Sequence, residues 1–280
     1  MTKHAILRVL RAARLLRAMD AARLCVEILR TLARNRRFAR ESPQFLTPPR
    51  GLAFDALNHA DWRLYREGGL AHARLFACLL REAFPGDGAI DVMEWGCGPG
   101  RIVRHMPALM GVKARSVTGC DSNARSVAWC RRSLPGIRFV DNGLHPPTPF
   151  GDGEFDAIYG FSVLTHLSAA VQVEWAGEFA RLLRPGGVLV LTTHGEAYRH
   201  LLASPAERNR FAAGEVVAQA NYPEGRKWFF AIHPEAFVRG RLLAGLEEVR
   251  RCPTVAADDV RQDVWIARKP GPGSRATEGA

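Results

Sequence analysis

A short stretch holds the residues whose types and spacing can do chemistry: Glu94, Gly96, Cys97, Gly98, Gly100 and, further on, Asp121 with Ser122. Glycine at alternate positions lets a backbone turn tightly and approach a ligand closely. Glu94 stands two residues before the first of these glycines. A carboxylate at position 121 can accept two hydrogen bonds from the vicinal hydroxyls of a ribose. His166 and His194 are the candidate proton acceptors, and His233 is a third histidine whose position suits either a helix cap or an acceptor pocket. The six cysteines form no CxxC pair and no histidine cluster has metal-ligand spacing, so no metal site is expected.

The elements around these residues must position them. A short apolar strand, Ile90–Trp95, runs into the glycines, and a helix follows from Arg101. A second strand, Ser116–Cys120, ends at Asp121, and Ser122 can cap a helix over Asn123–Leu134. Strands are expected at Ile137–Asp141, Phe155–Phe161 and Val188–Thr193. Between the last two lies a helix capped by Ser168, with Val171, Trp175, Phe179, Leu182 and Leu183 on its buried face. Alternating strands and helices argue for a parallel α/β sheet with right-handed crossovers. Such sheets bind ligands at the carboxyl ends of their strands, where Glu94, the glycines and Asp121 all fall. After Gly195 the alternation weakens: 196–220 reads as helical, and Trp228–Ile232 with Val264–Ala267 reads as a terminal antiparallel pair flanking a helix, Glu235–Leu243.

A glycine loop alone also suits NAD or FAD. Here residue 101 is Arg where the dinucleotide fingerprint has its third glycine, and Glu94 would face a pyrophosphate. Both details favour S-adenosylmethionine. Val92–Gly100 resembles motif I of class I S-adenosylmethionine-dependent methyltransferases, Val117–Asp121 their motif II, Phe155–Tyr159 their motif IV, and Leu183–Leu189 their turn into strand five. The resemblance covers about residues 60–270. It implies a Rossmann-like, mostly parallel seven-stranded sheet with an antiparallel last strand, preceded by N-terminal helices. It also implies that Gly96, Cys97, Gly98 and Gly100 cradle the cofactor, with Glu94 near its ammonium, Asp121 and Ser122 at its ribose, Asn142 at its adenine amino group and Phe161 against it. Arg101 reads equally as a partner of the cofactor carboxylate or as a solvated helix residue. The stretch from Asn142 to Gly195 is similar to a bacterial subgroup found among polysaccharide and glycan biosynthesis methyltransferases.

The implied function is O-methylation of a carbohydrate or other small-molecule acceptor, with His166 as the base and His194 as the second candidate. Tyr65 and Arg66 fall in a segment that can form a lid, and Trp228–Phe230 can stack on an acceptor or belong to the core. Alternatives are a non-catalytic S-adenosylmethionine-binding regulatory protein and a protein or nucleic-acid methyltransferase. No Asn/Asp-Pro-Pro-Tyr motif follows strand four, which disfavours methylation of a base amino group. The net charge of +11 is concentrated in the first forty residues: ten Arg and one Lys against Asp20 and Glu27 give +9. The body is therefore nearly neutral and no nucleic-acid partner is expected. The expected organisation is a basic helical arm over 1–45, a cofactor-binding domain over 46–269 and a disordered tail over 270–280. The arm reads as a solvated helix, a mitochondrial presequence that its two acids oppose, or an amphipathic helix on anionic lipid. No apolar run approaches transmembrane length, and arginines interrupt the N-terminus where a signal peptide needs its apolar run. The expected location is cytoplasmic, with peripheral contact at the inner membrane surface as the arm's lipid reading.

Overall fold

Strand β1, Ile90–Trp95, is buried along nearly its whole length, as a central parallel strand covered on both faces should be. The computed structural model describes residues 16–218, 223–252 and 261–271. β1 pairs in parallel with β2 (Ala114–Asp121) and with β4 (Phe155–Gly160), and β3 (Arg138–Asp141) and β5 (Leu183–Thr193) extend the sheet in the same sense. Among the described residues, with β8 at Glu247–Cys252 and β9 at Asp263–Arg268, the seven strands lie in the order β3-β2-β1-β4-β5-β9-β8, and β9 is antiparallel to both its neighbours. The Rossmann-like sheet with an antiparallel last strand is therefore present.

The register carries the site. Glu94 lies level with Gly119 on β2 and Tyr159 on β4, and Asp121 lies level with Asp141 on β3. Each parallel strand thus delivers its last residues to one edge. Behind β4, the helix Ala169–Leu182 is capped by the Ser168 hydroxyl, which accepts from the Val171 N–H. Its buried Val171, Trp175, Phe179 and Leu182 press on the sheet, with the Trp175 ring 4.9 Å from that of Trp95. The Trp175 indole N–H also donates to the Leu144 carbonyl at 2.9 Å, so this helix fixes the loop after β3 as well.

Several expectations are corrected. The helix after Asp121 is Ala124–Ser133, and Asn123 rather than Ser122 caps it, accepting from the Arg125 and Ser126 N–H groups. An Asn one residue closer to the helix reaches both amides. The helical pattern over 61–84, which Gly68-Gly69 should break in two, is instead one helix, Trp62–Ala83. Two glycines cost about 1 kcal/mol each against alanine, and burial of Tyr65, Ala73, Phe76 and Leu80 on either side offsets that. The partner of the last strand is not 228–232 but β8, Glu247–Cys252, a polar strand at the sheet's rim. Only Ala231–Ile232 of the other segment is strand (β7), and it pairs with Val217–Ala218 (β6) in a separate two-stranded sheet. The region 196–220 is helical only over Glu196–Leu201 and Pro205–Ala212.

The chain divides into two compact units between Gly69 and Leu70. In the first, helix Leu16–Glu41 and helix Arg50–Leu57 share a small core of Phe38, Ala53, Trp62 and Tyr65. Residues 46–69 accordingly cluster with the arm, because Trp62 and Tyr65 pack there. The arm's expected start before Leu16 and the tail beyond Gly271 lie outside the described residues. No helix among the described residues is long and apolar enough to cross a membrane.

Because Trp175 joins the helix, the sheet and the loop, Trp175→Ala should cost about 3–5 kcal/mol of unfolding free energy in a urea titration. A loss below about 1 kcal/mol would show that this packing is dispensable.

Candidate functional site

Three glycines shape the bend after β1. Gly96, Gly98 and Gly100 all have positive φ, at 73°, 50° and 74°. A Cβ at Gly96 would stand 2.2 Å from a Val163 methyl, and one at Gly100 would stand 2.6 Å from Leu134. Both conformation and space therefore demand glycine. The N–H groups of Gly96 and Cys97 donate to the Cys120 carbonyl, which folds the loop back over the end of β2. The Cys97 side chain is buried, with its sulfur 3.6 Å from the Gly98 carbonyl.

Asp121 completes the arrangement. One carboxylate oxygen accepts the Gly98 N–H at 2.7 Å and the other accepts the Asn123 N–H at 2.7 Å. Burial raises its pKa, these two bonds oppose that rise, and Asp141 adds to it. A carboxylate has about four lone-pair sites, so two remain for ribose hydroxyls. Ser122 is exposed beside it. Asn142 is buried; its backbone N–H donates to the Asp121 carbonyl at 3.2 Å and its side-chain N–H to the Gly143 carbonyl at 3.0 Å. The Asn142 Oδ1 has no hydrogen-bond partner among the described residues. An open, buried acceptor is what an adenine amino group would satisfy.

Glu94 is 2% exposed, and burial pushes its pKa up to about 8. The Tyr159 hydroxyl, which donates to it at 3.1 Å, and the nearby Arg101 pull the other way. Arg101 is itself buried and stands over the ring of Phe161, 5.5 Å from its centroid. This placement removes the solvated-helix reading of Arg101. The glycine cradle, Asp121, Glu94 and the open Asn142 acceptor are brought to one edge and fit the adenosyl and amino-acid parts of S-adenosylmethionine.

The histidines lie beyond β4 and β5. His166 ends a short 3-10 turn, Leu164–His166, and its Nδ1 lies 2.8 Å from the Phe229 carbonyl. Burial lowers its pKa. His194 is buried and packs against the rings of Tyr198 and Phe230, at 4.0 and 4.5 Å. The Gln262 amide donates to its Nε2 at 3.2 Å and to the Ser162 hydroxyl at 2.8 Å, while Thr192 donates to the amide oxygen at 2.6 Å. His194 Nδ1 lies 3.3 Å from the Ala231 carbonyl, so both ring nitrogens are engaged. Burial drives its pKa down to about 3. Ser162 has a positive φ of 60°, an unusual state for a residue with a side chain, and its N–H donates to Thr192 Oγ1. His233 does not cap the helix it precedes; its ring is 1% exposed and Pro234 holds the cap position. Tyr65 and Arg66 are engaged within the first unit, Tyr65 in its core and Arg66 with the Ser42 hydroxyl. Phe229 belongs to the core under β4. Sequence reasoning missed Gln262 as the organiser of this end, since its partners lie 68 to 100 residues away.

Residues 92–187, which carry the glycine bend and the turn into β5, match the methyltransferase domain family. Over 103 residues the chain is 34% identical to a fatty-acid O-methyltransferase of Mycolicibacterium smegmatis, covering 36% of each protein. Over 140 residues it is 30% identical to a malonyl-[acyl-carrier protein] O-methyltransferase of Enterobacter lignolyticus, covering 46% of this chain and 51% of that one. The chain spans about a third to a half of the length of these curated relatives. The fold is similar to that of the N-methyltransferase NodS from Bradyrhizobium japonicum, a structure in complex with S-adenosyl-L-homocysteine. The TM-score is 0.51 with 19% identity, covering 79% of this chain and 97% of NodS.

The raised Glu94 pKa has a signed consequence. The unfolded chain loses this proton near the ordinary glutamate value of 4.5, whereas the folded protein keeps it to about 8. Stability from this group is therefore full below about pH 4.5 and falls as pH rises towards 8. Glu94→Gln should flatten that decline in urea titrations run between these limits; an unchanged slope would contradict the buried acid.

Proposed function

We propose that the protein is a class I S-adenosylmethionine-dependent methyltransferase acting on a small-molecule acceptor, and more finely that it methylates a hydroxyl, with a carbohydrate as the favoured acceptor. The observation that carries the reading is the tie between Asp121 and the Gly98 N–H, which sets a carboxylate against a glycine bend at the open edge of the sheet. When bound, the sulfonium supplies a methyl group that is already activated for displacement. Asp121 then holds the ribose, Asn142 Oδ1 accepts from the adenine amino group, and Glu94 faces the ammonium. The remaining demands on the protein are alignment and, for a hydroxyl acceptor, removal of a proton.

His166 meets the second demand. Its Nδ1–H donates to the Phe229 carbonyl, which fixes the tautomer and leaves Nε2 with a lone pair. The lowered pKa keeps the ring neutral, and so able to take a proton, at neutral pH. His194 lacks a free nitrogen and serves to position the end of β5 instead. A carboxyl acceptor is the second reading, and its support is that the two O-methyltransferase relatives are named for a fatty acid and for malonyl-[acyl-carrier protein]. A carboxylate is already deprotonated and needs no base.

Asp121→Ala should weaken S-adenosylhomocysteine binding by roughly 1.5–3 kcal/mol in a calorimetric titration, the scale of hydrogen bonds to a charged group. Unchanged affinity would remove Asp121 from the ribose. His166→Gln should lower methyl transfer from labelled S-adenosylmethionine to a hydroxyl acceptor about a hundredfold, within the usual range of general-base contributions, without altering cofactor affinity. Full turnover by His166→Gln would favour the carboxyl acceptor. An absence of transfer to any acceptor, with binding intact, would favour a regulatory role.

A further inference from the structure

His72 is 7% exposed, and among the described residues neither of its ring nitrogens has a hydrogen-bond partner. Burying polar nitrogens without partners costs about 1–3 kcal/mol for each group. Native interiors leave few such groups unmet, and a functional role is one of the reasons for which they are kept. His72 lies on helix Trp62–Ala83, ahead of the sheet in sequence. Its ring is 4.2 Å from that of Phe161, and the Arg101 guanidinium stands over the same Phe161 ring. One turn further along the helix, Phe76 stacks at 4.6 Å on Tyr159, whose hydroxyl reaches Glu94.

Donors and an acid are thus gathered around Phe161 and Tyr159, beside Glu94. Arg101 brings a permanent charge, His72 brings a ring N–H, and Glu94 brings a carboxyl. That set is complementary to an α-amino acid group, whose carboxylate needs donors and whose ammonium needs an acceptor.

We propose that His72 is a cofactor-binding residue: with Arg101 it takes the α-carboxylate of the amino-acid end, while Glu94 takes the ammonium, and His72 thereby sets a preference for ligands that keep the carboxylate. The inference rests on reading the glycine bend as an S-adenosylmethionine site. Burial lowers the His72 pKa to about 3, so at neutral pH the ring contributes a hydrogen bond rather than a charge. Phe161 is half-buried, and its one ring carries both the His72 imidazole at 4.2 Å and the Arg101 guanidinium at 5.5 Å, which keeps the two groups side by side.

Three probes titrated calorimetrically into the full chain test this: S-adenosylhomocysteine, decarboxylated S-adenosylmethionine, and 5′-methylthioadenosine, which lacks the whole amino-acid end. His72→Phe keeps the ring stack and most of the volume but donates nothing. It should lose about tenfold in affinity for S-adenosylhomocysteine, the scale of one lost hydrogen bond to a charged group, and be unchanged towards the other two. Equal affinity for S-adenosylhomocysteine in the wild type and His72→Phe, with the wild type binding, overturns the role of His72 alone. A wild type that binds none of the probes overturns the cofactor reading, and this inference with it. Should His72→Phe fail to fold, imidazole nitrogen NMR of the wild type decides: the His72 signals should shift with S-adenosylhomocysteine and not with 5′-methylthioadenosine. Identical shifts with both would refute the proposal.

Discussion

The bond from the Gly98 N–H to the Asp121 carboxylate is the constraint on which the site depends. It joins the bend after β1 to the end of β2, two pieces of backbone that the parallel register brings level. The carboxylate is desolvated, which is unfavourable unless amide donors compensate. Gly98 and Asn123 supply them, and Asn123 in turn caps the next helix. Bend, strand end and helix start are therefore held by one side chain. Gly119 makes room for this closure: a Cβ there would stand 2.9 Å from Phe139 and 3.0 Å from the Cys97 sulfur.

A second network fixes the neighbouring edge. Thr192 on β5 accepts from the Ser162 N–H and donates to Gln262, whose amide reaches Ser162 and His194. These bonds hold Ser162 in its left-handed conformation against a cost of about 1–3 kcal/mol. They also set the direction in which the chain leaves β4, and so the positions of Phe161 on one side and His166 on the other. Antiparallel β9 matters here because the residue just before it carries the organising amide.

Much of this was legible in the sequence, for identifiable reasons. Gly96, Gly98 and Gly100 announce a tight bend because only glycine is at ease there, and Asp121 could be placed by counting from β1 to the end of β2. The helix Ala169–Leu182 was readable from the spacing of Val171, Trp175 and Phe179 on one face. Strand β8 was not, because Glu247, Glu248, Arg250 and Arg251 give a rim strand no apolar alternation. His194 looked like a base because its type and strand-end position are local facts, while the Gln262 amide that occupies its Nε2 is 68 residues away. His72 gave no signal at all: one histidine on an amphipathic helix is unremarkable until its nitrogens prove to be both buried and unpartnered.

The most direct test of the central claim is a crystal structure of the protein grown with saturating S-adenosylhomocysteine. Density is expected along the bend after β1, with both ribose hydroxyls on Asp121 and the adenine amino group on Asn142 Oδ1. A bend that stays closed with no density, or a nucleoside whose sugar is held by groups other than Asp121, would contradict it.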